Sequence, residues 1–340
     1  MAMSSNILAP GKVPPEFLIN LLARYTGGDS SVIVRPGIGV DAAAIEMGEQ
    51  VLVAKTDPIT FATDQIGWYA VHVNANDVAC LGARPRWFLA TILLPERGTT
   101  RALVEQIFAQ LEAACTSLGV ALIGGHTEVT IGLERPIVVG QMLGTVAREA
   151  LISPQAGRPR DRVIMVKGFP IEGTALIARE KAANLLARGY SPALIERARQ
   201  MLFDPGLSVV RAAEIAARAA RLHGLHDPTE GGVATGLWEL ARAAGLGIRV
   251  EQAALPLLDL GAQLCAEFGL DPLGTIASGA LLIAVAPGDE ARVLTALDEA
   301  GIAAATVAVL TDDSDEAVLV TAAGERPLPR FDADEITRLF

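Results

Sequence analysis

The sequence predicts a protein of mixed α/β (α+β) class with two domains, and three observations support this expectation. The chain has 340 residues, which is long for one domain and typical of two. Strand-like and helix-like segments alternate along both halves. The segment 153–159, Ser-Pro-Gln-Ala-Gly-Arg-Pro, is rich in residues that break helices and strands. We therefore expect one domain over residues 1–152 and a second over residues 160–340.

The predicted elements of the first domain occur in an order typical of a ferredoxin-like, split β-α-β unit. A polar arm leads to a short helix over 17–25. Further helices are expected over 65–81 and 100–118, and strands at 32–35, 51–55, 86–95, 120–123 and 136–146, of which the strand at 120–123 is expected to be buried.

The second domain is also expected to be α/β. Alanine-rich helices fill most of residues 172–222. Helices over 233–244, 260–268 and 289–300 alternate with strands predicted at 163–167, 247–251, 280–286 and 304–310.

Composition disfavours several classes of function. Hydrophobic residues make up 51% of the chain but aromatic residues only 4%, so the core must consist mainly of Ala, Val, Leu and Ile. A net charge of −11 argues against nucleic acid and anionic membranes as partners. No apolar segment approaches membrane-spanning length, and residues 1–15 lack the apolar stretch of a signal peptide. We expect a cytoplasmic protein.

Three cysteines, Cys80, Cys115 and Cys265, are widely separated in the chain. They lie in apolar, alanine-rich segments without the spacing of a redox or metal motif. We expect small core residues and no disulfide framework.

Four motifs that contain acidic residues stand at the ends of apolar segments in the first half. Their polar and glycine residues are Gly37, Gly39 and Asp41; Lys55 and Asp57; Asn76 and Asp77; and Gly124, Gly125, His126, Thr127 and Glu128. A buried carboxylate is costly unless a positive charge meets it, and Mg²⁺ that carries a nucleoside triphosphate would supply that charge. The glycines would let backbone N–H groups approach phosphate. The pattern thus predicts a magnesium–nucleotide site.

Each of these motifs also has an ordinary structural explanation. Asp41 could cap a helix after a glycine turn, and Asp57, at the end of its strand, could be a turn acid. Asp77 shares a helix face with apolar residues and needs a partner, for which an internal arginine, a backbone cap or a metal would serve. His126 could be a hydrogen-bonded loop residue.

A fifth motif precedes the helix predicted at 233. It contains Asp227, Thr229, Gly231 and Gly232. Asp227 or Thr229 could cap the helix, and the helix N-terminus could also bind an anion. A cap alone does not need two glycines at the entry, so we favour anion binding.

In this order the five motifs resemble those of the aminoimidazole ribonucleotide (AIR) synthase, or PurM, superfamily. The residues that carry the resemblance are Gly39-Val40-Asp41-Ala42-Ala43, Lys55-Thr56-Asp57, Asn76-Asp77-Val78-Ala79-Cys80-Leu81-Gly82-Ala83-Arg84-Pro85, Gly124-Gly125-His126-Thr127-Glu128 and Asp227-Pro228-Thr229-Glu230-Gly231-Gly232. Within the superfamily the chain is most similar to the HypE family of hydrogenase maturation proteins.

The resemblance implies a PurM-like fold in which the N-terminal domain dimerises through its sheet and ATP lies in the cleft between the domains. It implies that Asp41, Asp57 and Asp77 hold Mg²⁺ and contact the nucleotide, and that Asp77 and His126 are catalytic. The other residues expected at the nucleotide are Lys55, Asn76, Gly124, Gly125, Thr127, Glu128, Asp227, Thr229, Gly231 and Gly232.

The activity implied is AIR synthase-related and ATP-dependent, with transfer of the γ-phosphoryl group to an oxygen of a small amide or carbamoyl-type substrate. A role in hydrogenase maturation would add a maturation protein as a partner. The alternatives are a small-molecule kinase similar to thiamine-monophosphate kinase and a nucleotide-binding assembly protein without turnover.

Three features depart from the family pattern. Val40 replaces an acid, His126 replaces an aspartate, and no cysteine follows Cys265. We therefore expect no cyanide chemistry carried by a cysteine of this chain.

Overall fold

The secondary structure is arranged around two β-sheets. The structure is a computed structural model that describes residues 8, 11–331 and 333–340. The elements of the first part are α1 (Pro15–Tyr25), β1 (Val32–Val34), β2 (Ala43–Met47), β3 (Gln50–Ile59), α2 (Ile66–Cys80), β4 (Arg84–Pro95), α3 (Arg101–Leu118), β5 (Ala121–Thr130) and β6 (Ile137–Ala147).

The elements of the second part follow a short 3-10 helix at Arg148–Ala150. They are β7 (Arg162–Val166), α4 (Ile171–Glu180), α5 (Ala182–Ala187), α6 (Pro192–Gln200), α7 (Val210–Ala219), β8 (Leu222–His226), α8 (Gly232–Ala243), β9 (Gly247–Glu251), α9 (Asp259–Phe268), β10 (Leu281–Val285), α10 (Glu290–Glu299), β11 (Ala304–Thr311), β12 (Ala317–Thr321) and β13 (Gly324–Pro327). Single helical turns lie at Leu202–Gly206, Gln252–Ala254, Pro272–Gly274 and Glu335–Leu339.

The first sheet has the strand order β1-β2-β3-β6-β4-β5. Strand β6 pairs antiparallel with both β3 and β4, so β3 and β4 are parallel with β6 between them. Helix α2 connects β3 to β4, which is the predicted split β-α-β unit. The mixed α/β class and the split β-α-β order expected for this sheet are thereby confirmed.

Helix α2 is buried along almost its whole length because it lies between the first sheet and the second half of the chain. Two glycines of β6 allow its close approach to the sheet. A Cβ atom at Gly140 would lie 2.3 Å from the Asn74 amide nitrogen, and one at Gly144 would lie 2.4 Å from a methyl group of Val78. This packing fixes the position of Asp77 in the last turn of the helix.

The second sheet has the order β13-β12-β9-β11-β7-β10-β8. Strand β10 pairs antiparallel with β7 and with β8, so this sheet contains a second split unit. Helix α8 begins six residues after β8, and the intervening turn carries the fifth motif. In the sequence, the strands of the first sheet precede residues 153–159 and those of the second sheet follow them. The exact domain bounds of 1–152 and 160–340 stay predictions.

Two predictions about the first sheet are wrong. The strand expected at 120–123 begins at Ala121 and continues through the glycine pair to Thr130, and it is exposed because it forms the sheet edge. Asp57 does not follow its strand, since β3 continues to Ile59. Strands β2, β8, β12 and β13 were not predicted.

The three cysteines are buried, as expected. In the described part of the chain, no helix combines the length and the apolar character needed to cross a membrane.

Candidate functional site

Four of the predicted acids meet in one cavity of about 360 Å³ between the two halves of the chain. Its polar and charged lining residues are Lys12, Asp41, Lys55, Asp57, Asp77, His226, Asp227, Thr229 and Glu239. The acids outnumber the basic side chains, so the cavity carries an excess of negative charge when all the acids are ionised. Such an arrangement favours a bound cation or a bound proton.

Asp41, Lys55, Asp57 and Asp77 come from three elements of the first half. Asp41 lies in the loop between β1 and β2, and this loop rests against α8. Gly39 permits the contact, because its φ is +66° and a Cβ atom there would lie 2.2 Å from the carbonyl oxygen of Glu239. Lys55 and Asp57 project from one face of β3, since residues two apart in a strand share a face. Asp77 comes from the last turn of α2.

Lys55 is the central cation of the cavity. Its Nζ atom lies 3.1 Å from the Asp77 carboxylate and 3.6 Å from that of Asp57. Burial lowers the pKa of Lys55, but Asp77 and Asp57 outweigh this effect and hold the pKa above its usual value. Burial raises the pKa of Asp77 and of Asp57. Lys55 therefore stays charged beside acids that are costly to ionise without further positive charge.

His226, the last residue of β8, bridges two acids. Its Nδ1 atom lies 2.8 Å from Asp41 Oδ1, and its Nε2 atom lies 3.1 Å from Glu239 Oε2. Burial lowers the pKa of His226, but the two carboxylates more than compensate, so the pKa lies well above its usual value. A carboxylate beside each ring nitrogen favours the protonated imidazolium, and the contact fixes the orientation of Asp41.

Two carboxylate oxygens in this cluster are buried without a partner. Among the described residues, Asp77 Oδ2 and Asp227 Oδ2 accept no hydrogen bond. The other Asp227 oxygen, Oδ1, accepts a hydrogen bond from the Cys80 thiol over 3.4 Å. Burial and the neighbouring Asp41 raise the pKa of Asp227 to about 7. These orphaned oxygens are hard donors of the kind that Mg²⁺ prefers.

The motif at 124–128 does not reach this cavity. Gly124, Gly125, His126, Thr127 and Glu128 all lie on the exposed edge strand β5, and the His126 ring contacts the Glu128 carboxylate at 3.0 Å. Gly125 has a structural reason to be glycine, because a Cβ atom there would lie 1.9 Å from the carbonyl oxygen of Ala90 on β4. At Gly124 the same position is open.

Asn76 also lies outside the cavity. Its side-chain amide donates to the Leu207 carbonyl oxygen, and its oxygen accepts from the Val209 N–H, each over 2.9 Å. Asn76 thus holds α2 against the segment before α7. Its expected contact with the nucleotide stays a prediction without geometric support.

The predicted anion site at the start of α8 holds an acid of the chain itself. The Gly231 N–H donates to Asp334 Oδ2 over 2.7 Å. Gly231 and Gly232 both have positive φ, and a Cβ atom at Gly232 would lie 2.4 Å from the Leu273 carbonyl oxygen. Packing therefore explains the two glycines without a bound anion.

A larger cavity of about 600 Å³ adjoins the acidic one and shares Lys12, Asp57 and Glu239 with it. Its walls carry the aromatic rings of Phe61, Trp238 and Phe331, the guanidinium groups of Arg135 and Arg330, and further carboxyl groups, those of Glu16, Glu230 and Asp334. The cluster of acids thus opens beside a pocket that has aromatic walls and charges of both signs.

Comparison with known proteins places this geometry in a family. Residues 39–146 match the model of the AIR synthase related protein, N-terminal domain, and residues 158–321 match that of the C-terminal domain. The carbamoyl dehydratase HypE of Rhizobium leguminosarum bv. viciae is 30% identical over 84% of this chain and 81% of its own length. The chain belongs to the AIR synthase-related (PurM) family and is HypE-like.

Three further comparisons extend over more of the HypE-like chain. A putative hydrogenase expression/formation protein of Methanocaldococcus jannaschii is 26% identical over 97% of both chains. A crystal structure of the hydrogenase maturation protein HypE in complex with ATP superposes with a TM-score of 0.69 at 23% identity, over 94% of this chain and 91% of that one. The structure of a HypE–HypF complex gives a TM-score of 0.71 at 20% identity, over 92% and 99%. At these identities the superpositions establish the fold.

Three members of the acidic cluster were not among the residues predicted from the sequence. His226 and Glu239 form its second ion-pair network, and Cys80 contacts Asp227 rather than only apolar neighbours. The available signal was His226 directly before Asp227. Glu239 gave no such signal, because it lies seven residues into α8, away from the motif at the start of that helix.

Proposed function

We propose that this HypE-like chain binds Mg-ATP at the acidic cavity and transfers the γ-phosphoryl group to an oxygen of a small amide or carbamoyl-type substrate, as part of metallocentre maturation. Two relationships support the proposal. A relative that covers most of the chain is named a carbamoyl dehydratase, and a HypE of the same fold has been crystallised with ATP.

The observation that carries the proposal is the pair of buried carboxylate oxygens without a partner at Asp77 and Asp227. Buried oxygens of this kind favour a bound cation, and no described residue supplies one to them. Asp77, Asp41 and Asp57 would hold Mg²⁺, in agreement with the ligand set that the family resemblance implies. When bound, the ion would neutralise charge on the phosphates.

Lys55 is proposed to bind the phosphate chain. It keeps its proton because of Asp77 and Asp57, so it can donate to a phosphate oxygen without a change of charge. Its flexible side chain can turn from the carboxylates to the phosphate once a metal ion compensates those acids.

The acceptor is proposed to bind in the adjoining larger cavity. The two cavities share Asp57, so an acceptor oxygen in the larger one would face a phosphoryl group in the smaller one. Trp238 and Arg330, whose guanidinium carbon lies 4.3 Å from the ring centroid, offer a stacked surface for a planar amide.

Thermal unfolding with and without Mg-ATP tests nucleotide binding. Since a ligand that binds only the folded state stabilises it by mass action, millimolar Mg-ATP should raise the melting temperature, and ATP without Mg²⁺ should raise it less. A folded protein whose melting temperature does not respond to Mg-ATP contradicts the proposal.

Product analysis then separates the candidate activities. ADP formation that depends on a carbamoyl-type substrate supports phosphoryl transfer to that substrate. ADP formation with thiamine monophosphate would instead identify a small-molecule kinase. Binding without turnover of any substrate would identify a nucleotide-binding assembly protein, and pull-down with a HypF-type partner is the matching test of assembly.

A further inference from the structure

A buried asparagine of α2 contacts the backbone of a proposed metal ligand. Asn74 is fully buried, and its amide nitrogen donates to the Ala70 carbonyl oxygen over 2.8 Å and to the Asp57 carbonyl oxygen over 3.2 Å. Because both partners are acceptors, the nitrogen of the amide and not its oxygen must face them. The first bond fixes the side chain on its own helix, and the second ties that helix to the backbone of Asp57 on β3.

The sheet makes room for this amide. Gly140 on β6 is paired with Asp57, and a Cβ atom at Gly140 would lie 2.3 Å from the Asn74 amide nitrogen. Pro58, directly after Asp57, has no N–H to donate to a neighbouring strand. The bond from Asn74 therefore adds a tie at a point where β3 has one backbone donor fewer.

The second connection between Asp57 and α2 is Lys55, which lies 3.6 Å from Asp57 and 3.1 Å from Asp77. In the proposed Mg-ATP complex Lys55 turns to the phosphate, and this bridge is given up. The bond from Asn74 does not involve Lys55, and Asn74 shares a face of α2 with Asp77, three residues further on. Because the amide is neutral, it holds the backbone of Asp57 without competing for the carboxylate.

We propose that Asn74 is a positioning residue that sets the spacing between Asp57 and Asp77, and thereby the selectivity of the site for Mg²⁺ over Ca²⁺. The inference rests on the proposed Mg-ATP site. Mg²⁺ demands near-ideal octahedral geometry with oxygens at about 2.0–2.1 Å, whereas Ca²⁺ accepts flexible geometry with oxygens at about 2.3–2.6 Å. Carboxylates on fixed backbones therefore favour the smaller ion, and loosening one of them removes that advantage.

Thermal unfolding of the full chain, at increasing ATP with either Mg²⁺ or Ca²⁺ in excess, gives an apparent Kd for each complex. The unchanged protein should bind Mg-ATP more tightly than Ca-ATP. Asn74→Ala should weaken Mg-ATP binding about tenfold, at the lower end of the roughly 10–100-fold loss typical when a group that orients a metal ligand is removed. Ca-ATP binding should weaken by less than about threefold, because Ca²⁺ tolerates a displaced ligand.

The ratio of the two affinities separates positioning from a purely structural role, which would lower the melting temperature and leave the ratio unchanged. His72→Ala is the matched control, since His72 is also buried on α2 and its Nδ1 atom lies 3.0 Å from the Trp68 carbonyl oxygen of the same helix. It should lower the melting temperature and keep the ratio.

Asn74→Ser is the second variant, for use if Asn74→Ala does not fold. A serine hydroxyl in a helix can donate to the carbonyl oxygen four residues earlier, here that of Ala70. It is one atom shorter than the amide and loses the bond to Asp57, so the same fall in the ratio is expected.

Three results would overturn the inference alone. They are an unchanged ratio in Asn74→Ala or Asn74→Ser, an equal fall of the ratio in His72→Ala, and an unchanged protein that binds Ca-ATP as tightly as Mg-ATP; the last needs no variant. An unchanged protein whose melting temperature responds to neither complex would overturn the Mg-ATP proposal and this inference with it, so the two failures are distinguishable.

Discussion

The motifs that line the acidic cavity resemble the motif of the edge strand β5 in sequence, but the two differ in burial. Both combine glycines with acids at the end of an apolar segment. In the cavity, Asp77 and Asp227 are buried with orphaned oxygens, whereas on β5 the acid Glu128 is exposed and already contacts His126. Local composition predicts that a motif is polar, and the position of its strand in the sheet decides whether it is buried.

Strand order explains the difference. Asp57 on β3 is paired with Gly140, Gly140 with Ala90, and Ala90 with Gly125 on β5. The two motifs are thus level with each other but three strand spacings apart, or about 14 Å. Helix α2 and the second half of the chain cover β3, while β5 is the last strand of the sheet.

The two adjacent glycines of β5, Gly124 and Gly125, should show the largest difference in their effect on the free energy of unfolding. Gly125→Ala places a Cβ atom 1.9 Å from the Ala90 carbonyl oxygen, so it should disrupt the pairing of β4 with β5 and destabilise the fold by roughly 3–4 kcal/mol. Gly124→Ala meets no neighbouring atom but still places alanine at a φ of +148°, so it should destabilise the fold, by less than Gly125→Ala, whose φ is similar and which adds the clash. Urea unfolding measures both, and equal losses would contradict this packing role for Gly125.

A second contrast concerns buried acids with and without a cation. Glu172, in the first turn of α4, is buried and its Oε2 atom accepts no hydrogen bond among the described residues. Burial raises the pKa of Glu172 to about 8, and Glu230, Asp334 and Asp57 add to the effect. Its folded pKa therefore exceeds its unfolded one, so its contribution to stability is complete below about pH 4.5 and is lost as the pH rises through about 8.

Glu172→Gln should remove this loss. We expect the variant to match the unchanged protein at pH 4.5 and to be more stable at pH 8, by on the order of 3 kcal/mol. Glu105→Gln, on the exposed face of α3, is the matched control and should change nothing over this range. Unfolding by urea at several pH values tests the sign: a variant that loses stability at pH 8 shows that Glu172 is ionised and paired.

The contrast between the two acid motifs is tested directly by Asp77→Asn and Glu128→Gln. At 100 times its dissociation constant a ligand stabilises the fold by about 2.7 kcal/mol, and Asp77→Asn should remove most of the Mg²⁺-dependent part of that gain. Glu128→Gln should retain it, because Glu128 lies on exposed β5. Equal losses in both variants would place β5 in the nucleotide site, as the family resemblance implies.

Sequence alone predicted the features that depend on local pattern. Helix 65–81 is observed as Ile66–Cys80 and helix 100–118 as Arg101–Leu118, where Thr100 caps the first turn by accepting the Leu103 N–H. The split β-α-β order was predicted for the same reason. The convergence of Asp41, Asp57, Asp77 and Asp227 was predicted as well, through a family resemblance that spans both halves.

The misses depend on long-range packing. Strand β8 contains two histidines and follows alanine-rich helices, so its pattern resembles a helix end, and it is a strand because it pairs with β10. The contact between Cys80 and Asp227 joins residues 147 positions apart. The occupation of the α8 N-terminus by Asp334 joins residues 103 positions apart. No local rule reports such pairs.

A substitution at Val129 is expected to have the smallest effect on the stability of the monomer. It also tests most directly whether the edge strand β5 forms a dimer interface. Val129 is 57% exposed on β5, which also carries the exposed Ile123, and the exposed Ile131 directly follows the strand. The sheet face that α2 and α3 leave uncovered carries half-buried Leu52 and Leu143. An edge and a face of this character predict a homodimer formed through the first sheet. Light scattering at micromolar concentration should therefore give twice the mass of 35.5 kDa.

Val129→Lys should convert this dimer to a monomer and change the stability of the isolated fold by less than about 0.5 kcal/mol, because surface substitutions away from packed sites cost little. Leu186→Lys, on α5 and 51% exposed, is the matched control and should leave the dimer intact. A monomer mass for the unchanged protein, or a dimer that tolerates Val129→Lys but not Leu186→Lys, would contradict a dimer formed through β5. If instead Val129→Lys lowers both the dimer fraction and the Mg-ATP shift, the edge motif reaches a nucleotide site through the second copy of the chain.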